Sequence, residues 1–165
     1  MNAGIGGDRT QHVIWRLQHG NLENINPKLM VLMIGTNNTG HQGRPQTELK
    51  GAVYQCTAEQ TAEGVKAIVA KLQAKLPETK ILLLGIFPRG ATAEDKFRQQ
   101  NDATNALIAK LDDGKSVFFM NIGATFLQPN GGLSKEIMPD LLHLSPRGYE
   151  MWASAIEGKV KELMK

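Results

Sequence analysis

Ile81-Leu82-Leu83-Leu84-Gly85-Ile86-Phe87 is apolar from end to end and runs straight into Pro88-Arg89-Gly90. A strand with one wet face alternates apolar and polar residues. A run with no alternation suits a strand covered on both faces, the situation of a parallel sheet. Two further runs of this kind are Leu29-Met30-Val31-Leu32-Met33-Ile34 and Val117-Phe118-Phe119-Met120. Helical spacing fills the intervals. Asp8 stands where an N-cap would open a helix carrying Val13, Ile14 and Leu17, with Gly20 just past its end. Thr57 and Gln60 have the spacing of a capping box. The helix they open carries Val65, Ile68, Val69, Leu72 and Leu76 and stops at Pro77. A third helix runs through Phe97, Leu107, Ile108 and Leu111 to Gly114. A fourth takes Ser145 as N-cap and Pro146 as its first residue, and is expected to bury Tyr149, Trp152, Ile156, Val160 and Leu163. Strands alternating with helices predict an α/β fold, a three-layer α/β/α sandwich around a parallel sheet. Residues 38–56 are polar and glycine-rich and are expected to form a long loop over one end of that sheet.

Length and composition narrow the function classes. The 165 residues suit a single domain spanning 1–165, and 41% hydrophobic with 21% charged residues is a globular balance. No apolar run reaches the roughly 20 residues of a membrane span. Met1-Asn2-Ala3-Gly4-Ile5 lacks the basic start and apolar core of a signal peptide, which leaves the compartment open. Cys56 is the only cysteine, and His12, His19, His41 and His143 are scattered, so neither a disulfide nor a metal centre is expected. The formal charge of +3 comes from dispersed lysines with no basic patch interleaved with aromatics, so nucleic acid is not an expected partner.

Three short stretches carry chemistry. In Asp140-Leu141-Leu142-His143 a carboxylate can fold back onto the imidazole and hold one ring nitrogen, leaving the other to move a proton. The alternative is that both residues merely cap the helix that follows. Gly35-Thr36-Asn37-Asn38 ends a buried strand, and ligands of parallel sheets bind beyond such ends. An asparagine amide there can donate to a forming oxyanion, or it can be ordinary turn chemistry. Gly4-Ile5-Gly6-Gly7-Asp8 opens a helix, where free N–H groups accept anions. It lacks the third glycine of a dinucleotide loop and has no strand before it.

In order and spacing these stretches resemble the SGNH (GDSL) hydrolase superfamily. Asn2-Ala3-Gly4-Ile5-Gly6-Gly7-Asp8 resembles its second block, Gly35-Thr36-Asn37-Asn38 its third and Asp140-Leu141-Leu142-His143-Leu144-Ser145 its fifth. The strings His12-Val13-Ile14-Trp15-Arg16-Leu17 and Gly85-Ile86-Phe87-Pro88-Arg89-Gly90 are similar to the branch of the platelet-activating-factor acetylhydrolase catalytic subunits and their bacterial relatives. The resemblance implies a flavodoxin-like sandwich and an ester hydrolase without cofactor. It implies His143 as base, Asp140 as its orienting acid, Gly7 and Asn37 as oxyanion-hole donors, and a small ester such as an acetylated carbohydrate or lipid as substrate.

The family's first block, Gly-Asp-Ser, belongs upstream of the second, and the sequence opens at the second. None of Ser116, Ser134, Ser145 and Ser154 follows Gly-Asp, and Thr10 in Gly7-Asp8-Arg9-Thr10 imitates the motif poorly. By the resemblance, the first strand, the nucleophile and the second strand are missing. The competing reading is a binding or assembly module of the same fold without catalysis. Without those elements the Leu29–Ile34 strand is expected to lie at a sheet edge and to draw chains into a homo-oligomer.

Overall fold

The computed structural model describes residues 1–20, 22–45 and 51–165. Its regular elements are α1 (Thr10–Gln18), β1 (Leu29–Leu32), α2 (Thr36–Gly40), α3 (Ala58–Lys75), β2 (Lys80–Leu84), α4 (Lys96–Ile108), β3 (Val117–Met120) and α5 (Pro146–Leu163). Short 3-10 turns at Ala109–Leu111 and Gly123–Phe126 follow α4 and β3. The three strands form one parallel sheet in the order β1-β2-β3, with Leu29 opposite Lys80 and Ile81 opposite Val117. Parallel neighbours need a long crossover, which α3 and α4 provide.

β2 lies in the middle, and Ile81 through Leu84 are buried on both faces. Ile81 and Leu83 point into a cluster with Val65, Ile68 and Leu72 of α3, Leu17 of α1 and Ile108 of α4. Leu82 and Leu84 point the other way, onto Leu163, Ile156 and Trp152 of α5. The alternation along one strand therefore assigns α1, α3 and α4 to one face and α5 to the other. This is the expected three-layer sandwich. β1 is an edge, open on the side away from β2, with Val31 at 41% exposure. A groove of about 790 Å³ runs along that edge between Val13, Leu22, Ile25 and Trp152.

Several details differ from the sequence reading. β1 stops at Leu32 and β2 at Leu84, because the chain turns off the sheet at both outlets. Past Leu84 the main chain of Ile86 is paired by a side chain. Its N–H donates to Asn105 Oδ1 at 2.7 Å and its carbonyl accepts from Asn105 Nδ2 at 2.9 Å. Asp8 is not the N-cap of α1, which is Arg9, with its N–H donating to His12 Nδ1 at 3.2 Å. Asp8 is buried and paired with Arg16, about two turns into the helix. Tyr149 is 57% exposed, since the α5 face that meets the sheet is the one bearing Trp152, Ile156, Val160 and Leu163. The loop expected over residues 38–56 begins with the end of α2 and contains a bridge between Pro45 and Val53, while residues 46–50 lie outside the described residues. The capping box of α3 and the Ser145 cap of α5 are present as read.

Candidate active site

The carboxyl ends of β1 and β2 deliver two loops to the same rim of the sheet, and the Asp140–His143 turn comes up beside them. Gly35 makes the first turn. Its φ of +131° is unfavourable for any side chain, and a Cβ there would stand 2.5 Å from Ile86 Cδ1. The chain then enters α2, whose first residues are Thr36 and Asn37. Asn37 Nδ2 donates to the carbonyl of Asp8 at 3.0 Å, which sets the amide against the Asp8–Arg9 peptide, just past the turn at Gly7. One of its two N–H bonds is used in this way and the other remains. Gly7, at φ +82°, is exposed, and its N–H finds no carbonyl among the described residues.

The neighbouring Asn38 has a different job. It is 1% exposed, accepts from the Thr10 N–H at 3.0 Å and donates to Thr10 Oγ1 at 3.0 Å and to the Tyr54 hydroxyl at 3.1 Å. Of two adjacent asparagines, one is a buried strut between α1 and α2 and the other faces the rim. The strut fixes where Asn37 and Gly7 stand relative to each other.

Arg89 joins the two loops. Its Nη1 donates to the Thr36 carbonyl at 2.9 Å and to Thr36 Oγ1 at 3.1 Å. The next residue, Gly90, donates from its N–H to the carbonyl of Leu141 at 2.9 Å, inside the Asp140–His143 turn. Asn37 and His143 are thus tied to one dipeptide, Arg89-Gly90. That dipeptide is held from behind by Arg98, which is 2% exposed. Its guanidinium donates to the carbonyls of Arg89 at 3.0 Å, Gly90 at 2.6 Å and Gly131 at 2.7 Å. Sequence reasoning missed Arg98, because a charged residue on a helix ordinarily marks the wet face.

In the turn itself Asp140 Oδ1 accepts from the N–H groups of Leu142 at 3.1 Å and His143 at 2.7 Å. Its Oδ2 lies 2.6 Å from His143 Nδ1. Leu141 takes the left-handed conformation, φ +60°, that folds the carboxylate back onto the ring. The amide of His143, its ring and the amide of Leu142 hold the Asp140 carboxyl down at about 2. The sign follows from linkage. The interaction is fully present above the ordinary carboxylate range near 4 and is lost as pH falls through about 2. Asp140 is therefore an anion across the neutral range, and the ring is held through Nδ1 with Nε2 turned outward. Nε2 has no partner among the described residues, and the His143 side chain is 78% exposed.

The four serines are engaged elsewhere or distant. Ser145 Oγ accepts from the Gly148 N–H as a cap, Ser134 Oγ accepts from the Glu136 N–H and Ser116 Oγ donates to Asp113. Ser154 lies on the exposed side of α5. Thr10 is buried in the Asn38 network. Among the described residues no group of three or more His, Cys, Asp or Glu could hold a metal ion, and no helix is long and apolar enough to cross a membrane.

Residues 1–151 match the GDSL-like lipase/acylhydrolase family. The chain belongs to this family. Among curated relatives, it is 37% identical over 165 residues to the platelet-activating factor acetylhydrolase IB subunit alpha1 of Bos taurus, covering 99% of this chain and 64% of that one. The chain thus spans less than two thirds of that relative's length. Its fold is shared with a GDSL-like lipase from Bacteroides thetaiotaomicron, at TM-score 0.72 and 19% identity, covering 96% of this chain and 74% of the other. A catalytic mutant of an acetylxylan esterase from Geobacillus stearothermophilus superposes at TM-score 0.71 and 18% identity, covering 99% and 71%.

Proposed function

We propose that the chain carries the base, the orienting acid and the oxyanion donors of a carboxylic-ester hydrolase that works through a Ser–His–Asp triad, with the serine supplied by residues outside these 165. What supports this reading is the 2.6 Å bond between Asp140 and His143 Nδ1, with Nε2 unpartnered among the described residues, and the Arg89-Gly90 dipeptide that hydrogen-bonds both the His143 turn and Thr36 beside Asn37. In the reaction His143 Nε2 takes the proton of the serine hydroxyl as its oxygen attacks the ester carbonyl. The new oxyanion accepts from the Gly7 N–H and the second N–H of Asn37. The imidazolium, stabilised by Asp140, returns the proton to the departing alkoxide. Water then repeats the sequence on the acyl-enzyme. Two similar proteins are called an acetylhydrolase and an acetylxylan esterase, which favours a small acyl group, acetyl on a lipid or a carbohydrate.

A second reading, a non-catalytic module of the same fold, draws support from the serines, since none is bonded to His143. One experiment separates the two. The 165-residue chain should hydrolyse para-nitrophenyl acetate at a background histidine rate and take up no fluorophosphonate. Extended upstream by a Gly-Asp-Ser segment, it should label once per chain and turn over the ester. Stoichiometric labelling of Ser145 or Thr10 in the short chain would show the nucleophile to be misplaced. No labelling of the extended chain would leave only the module.

We also propose that in the 165-residue chain taken by itself a second copy covers the open edge of β1, the place that a preceding strand would fill in a longer chain. The run Leu29–Ile34 has neither charge nor proline to blunt its unpaired N–H and C=O groups, and an edge of this kind can pair with itself across a two-fold axis. Analytical ultracentrifugation at micromolar concentration should find a species larger than 18.1 kDa. A monomer that binds no hydrophobic dye would refute the pairing.

A further inference from the structure

We propose that Arg9, Arg44 and Arg89, gathered around His41, form a binding site for an oxyanion, phosphate or carboxylate, carried by the substrate of the rim described above. The proposal rests on the esterase reading only for what the anion is attached to. Hydrogen bonds and packing assemble the site from segments far apart in sequence. The His41 N–H donates to the Asn37 carbonyl at 3.0 Å, so the ring follows directly on the candidate oxyanion helix. The Arg44 N–H donates to the His41 carbonyl at 3.1 Å, and the Tyr54 N–H donates to the Arg44 carbonyl at 2.9 Å, closing the turn onto Tyr54. Arg9 lays its guanidinium 4.1 Å above the Tyr54 ring. Arg89 packs its guanidinium on Gly40 so closely that any side chain there would collide with it.

The three arginines have no carboxylate within salt-bridge distance among the described residues, although Asp95 and Asp140 exert some pull on Arg89 and Asp8 is committed to Arg16. Arg9 Nε is buried with no hydrogen-bond partner. Charges of one sign crowded beside a half-buried ring repel each other until an anion joins them. Burial first, then Arg44, Arg9, His12 and Arg89, push the ionisation of His41 below the ordinary histidine range. Guanidinium forks are suited to phosphate and carboxylate alike, and an anion beside Asn37 would set an ester on the same molecule against His143.

The test uses the 165-residue chain and no turnover, so failure of the esterase reading would leave its outcome unaffected. Inorganic phosphate and glucuronate are titrated separately. The ring C–H resonances of His41 and the side-chain N–H resonances of the arginines are followed against sodium chloride at matched ionic strength. At least one anion should give saturable shifts at His41 and Arg89. The apparent Kd should rise at least tenfold in Arg89→Gln and in Arg44→Gln, and stay unchanged in Lys161→Gln on α5. Arg44 is exposed, so its variant keeps the fold if Arg89→Gln does not. Tighter binding of phosphate would point to a phosphorylated ester, and tighter binding of glucuronate to an acidic sugar. Shifts no larger than those in chloride, or a Kd indifferent to both arginine substitutions, would overturn the site.

Discussion

His143→Ala, made in a chain extended to include the serine, is expected to lower kcat for para-nitrophenyl acetate by roughly 10⁴- to 10⁶-fold, the range seen when one member of a serine triad is removed. KM should move little, because the imidazole handles a proton and does not hold the ester. Asp140→Asn is the sharper variant. It keeps the shape of the turn, in which Asp140 Oδ1 accepts from two backbone N–H groups, but it offers His143 Nδ1 an amide in place of a carboxylate. The wrong tautomer is then favoured, and a loss on the order of 10⁴-fold is expected. Both side chains are exposed, so neither variant should melt early. With Asp140 ionised down to about pH 2, its protonation does not shape the rate profile near neutrality. A His143→Ala enzyme retaining a tenth of the parent rate would remove His143 from the mechanism.

Arg98→Met should have the largest effect on stability. The substitution keeps much of the buried volume and removes every donor, leaving the carbonyls of Arg89, Gly90 and Gly131 unpaired in the interior. Hydrogen bonds to a charged group contribute about 1.5–3 kcal/mol each, and unsatisfied buried acceptors are costly in their own right. Part of this is returned because a buried cation no longer has to be desolvated. A net loss of about 3–5 kcal/mol is expected, which in a domain of this size lowers Tm by roughly 10 °C. Arg98→Lys, with one point charge for three diverging acceptors, should recover only a fraction. A melt within about 2 °C of the parent would show that the loop after β2 does not depend on this clamp.

Which parts of the molecule could be read from its sequence follows from the range of the forces involved. The strands were legible because burial on both faces leaves an unbroken apolar run, and β2 is the clearest case. The caps at Thr57 and Ser145 were legible because their partners lie three residues away. The ends of β1 and β2 were placed too late. Met33, Ile34, Ile86 and Phe87 stay apolar because they pack, although the ladder has already stopped. Asp8 has the composition of a cap, and only the fold reveals its arginine partner about two turns later. The Asp–His turn is local and could be read. The clamp at Arg98, the strut at Asn38 and the arginine cluster at His41 could not, because each joins segments separated by tens of residues.

Asn105 bears on a different question, how much of this fold is specified by volume and how much by chemical identity. Its amide offers one acceptor and one donor to a single residue, Ile86, much as a neighbouring peptide group would. In effect it is a strand one residue long, supplied by a helix at the point where the true strands have ended. Aspartate would fill the same space almost atom for atom, yet it would bring an oxygen to face the Ile86 carbonyl where a donor now stands. Leucine would fill it too and would leave both groups of Ile86 unanswered. At most core positions any residue of similar size and polarity is tolerated to some degree. At position 105 the decisive difference is between an oxygen and an NH₂ group, two groups of nearly equal size, and the outlet of the central strand toward the rim depends on that difference.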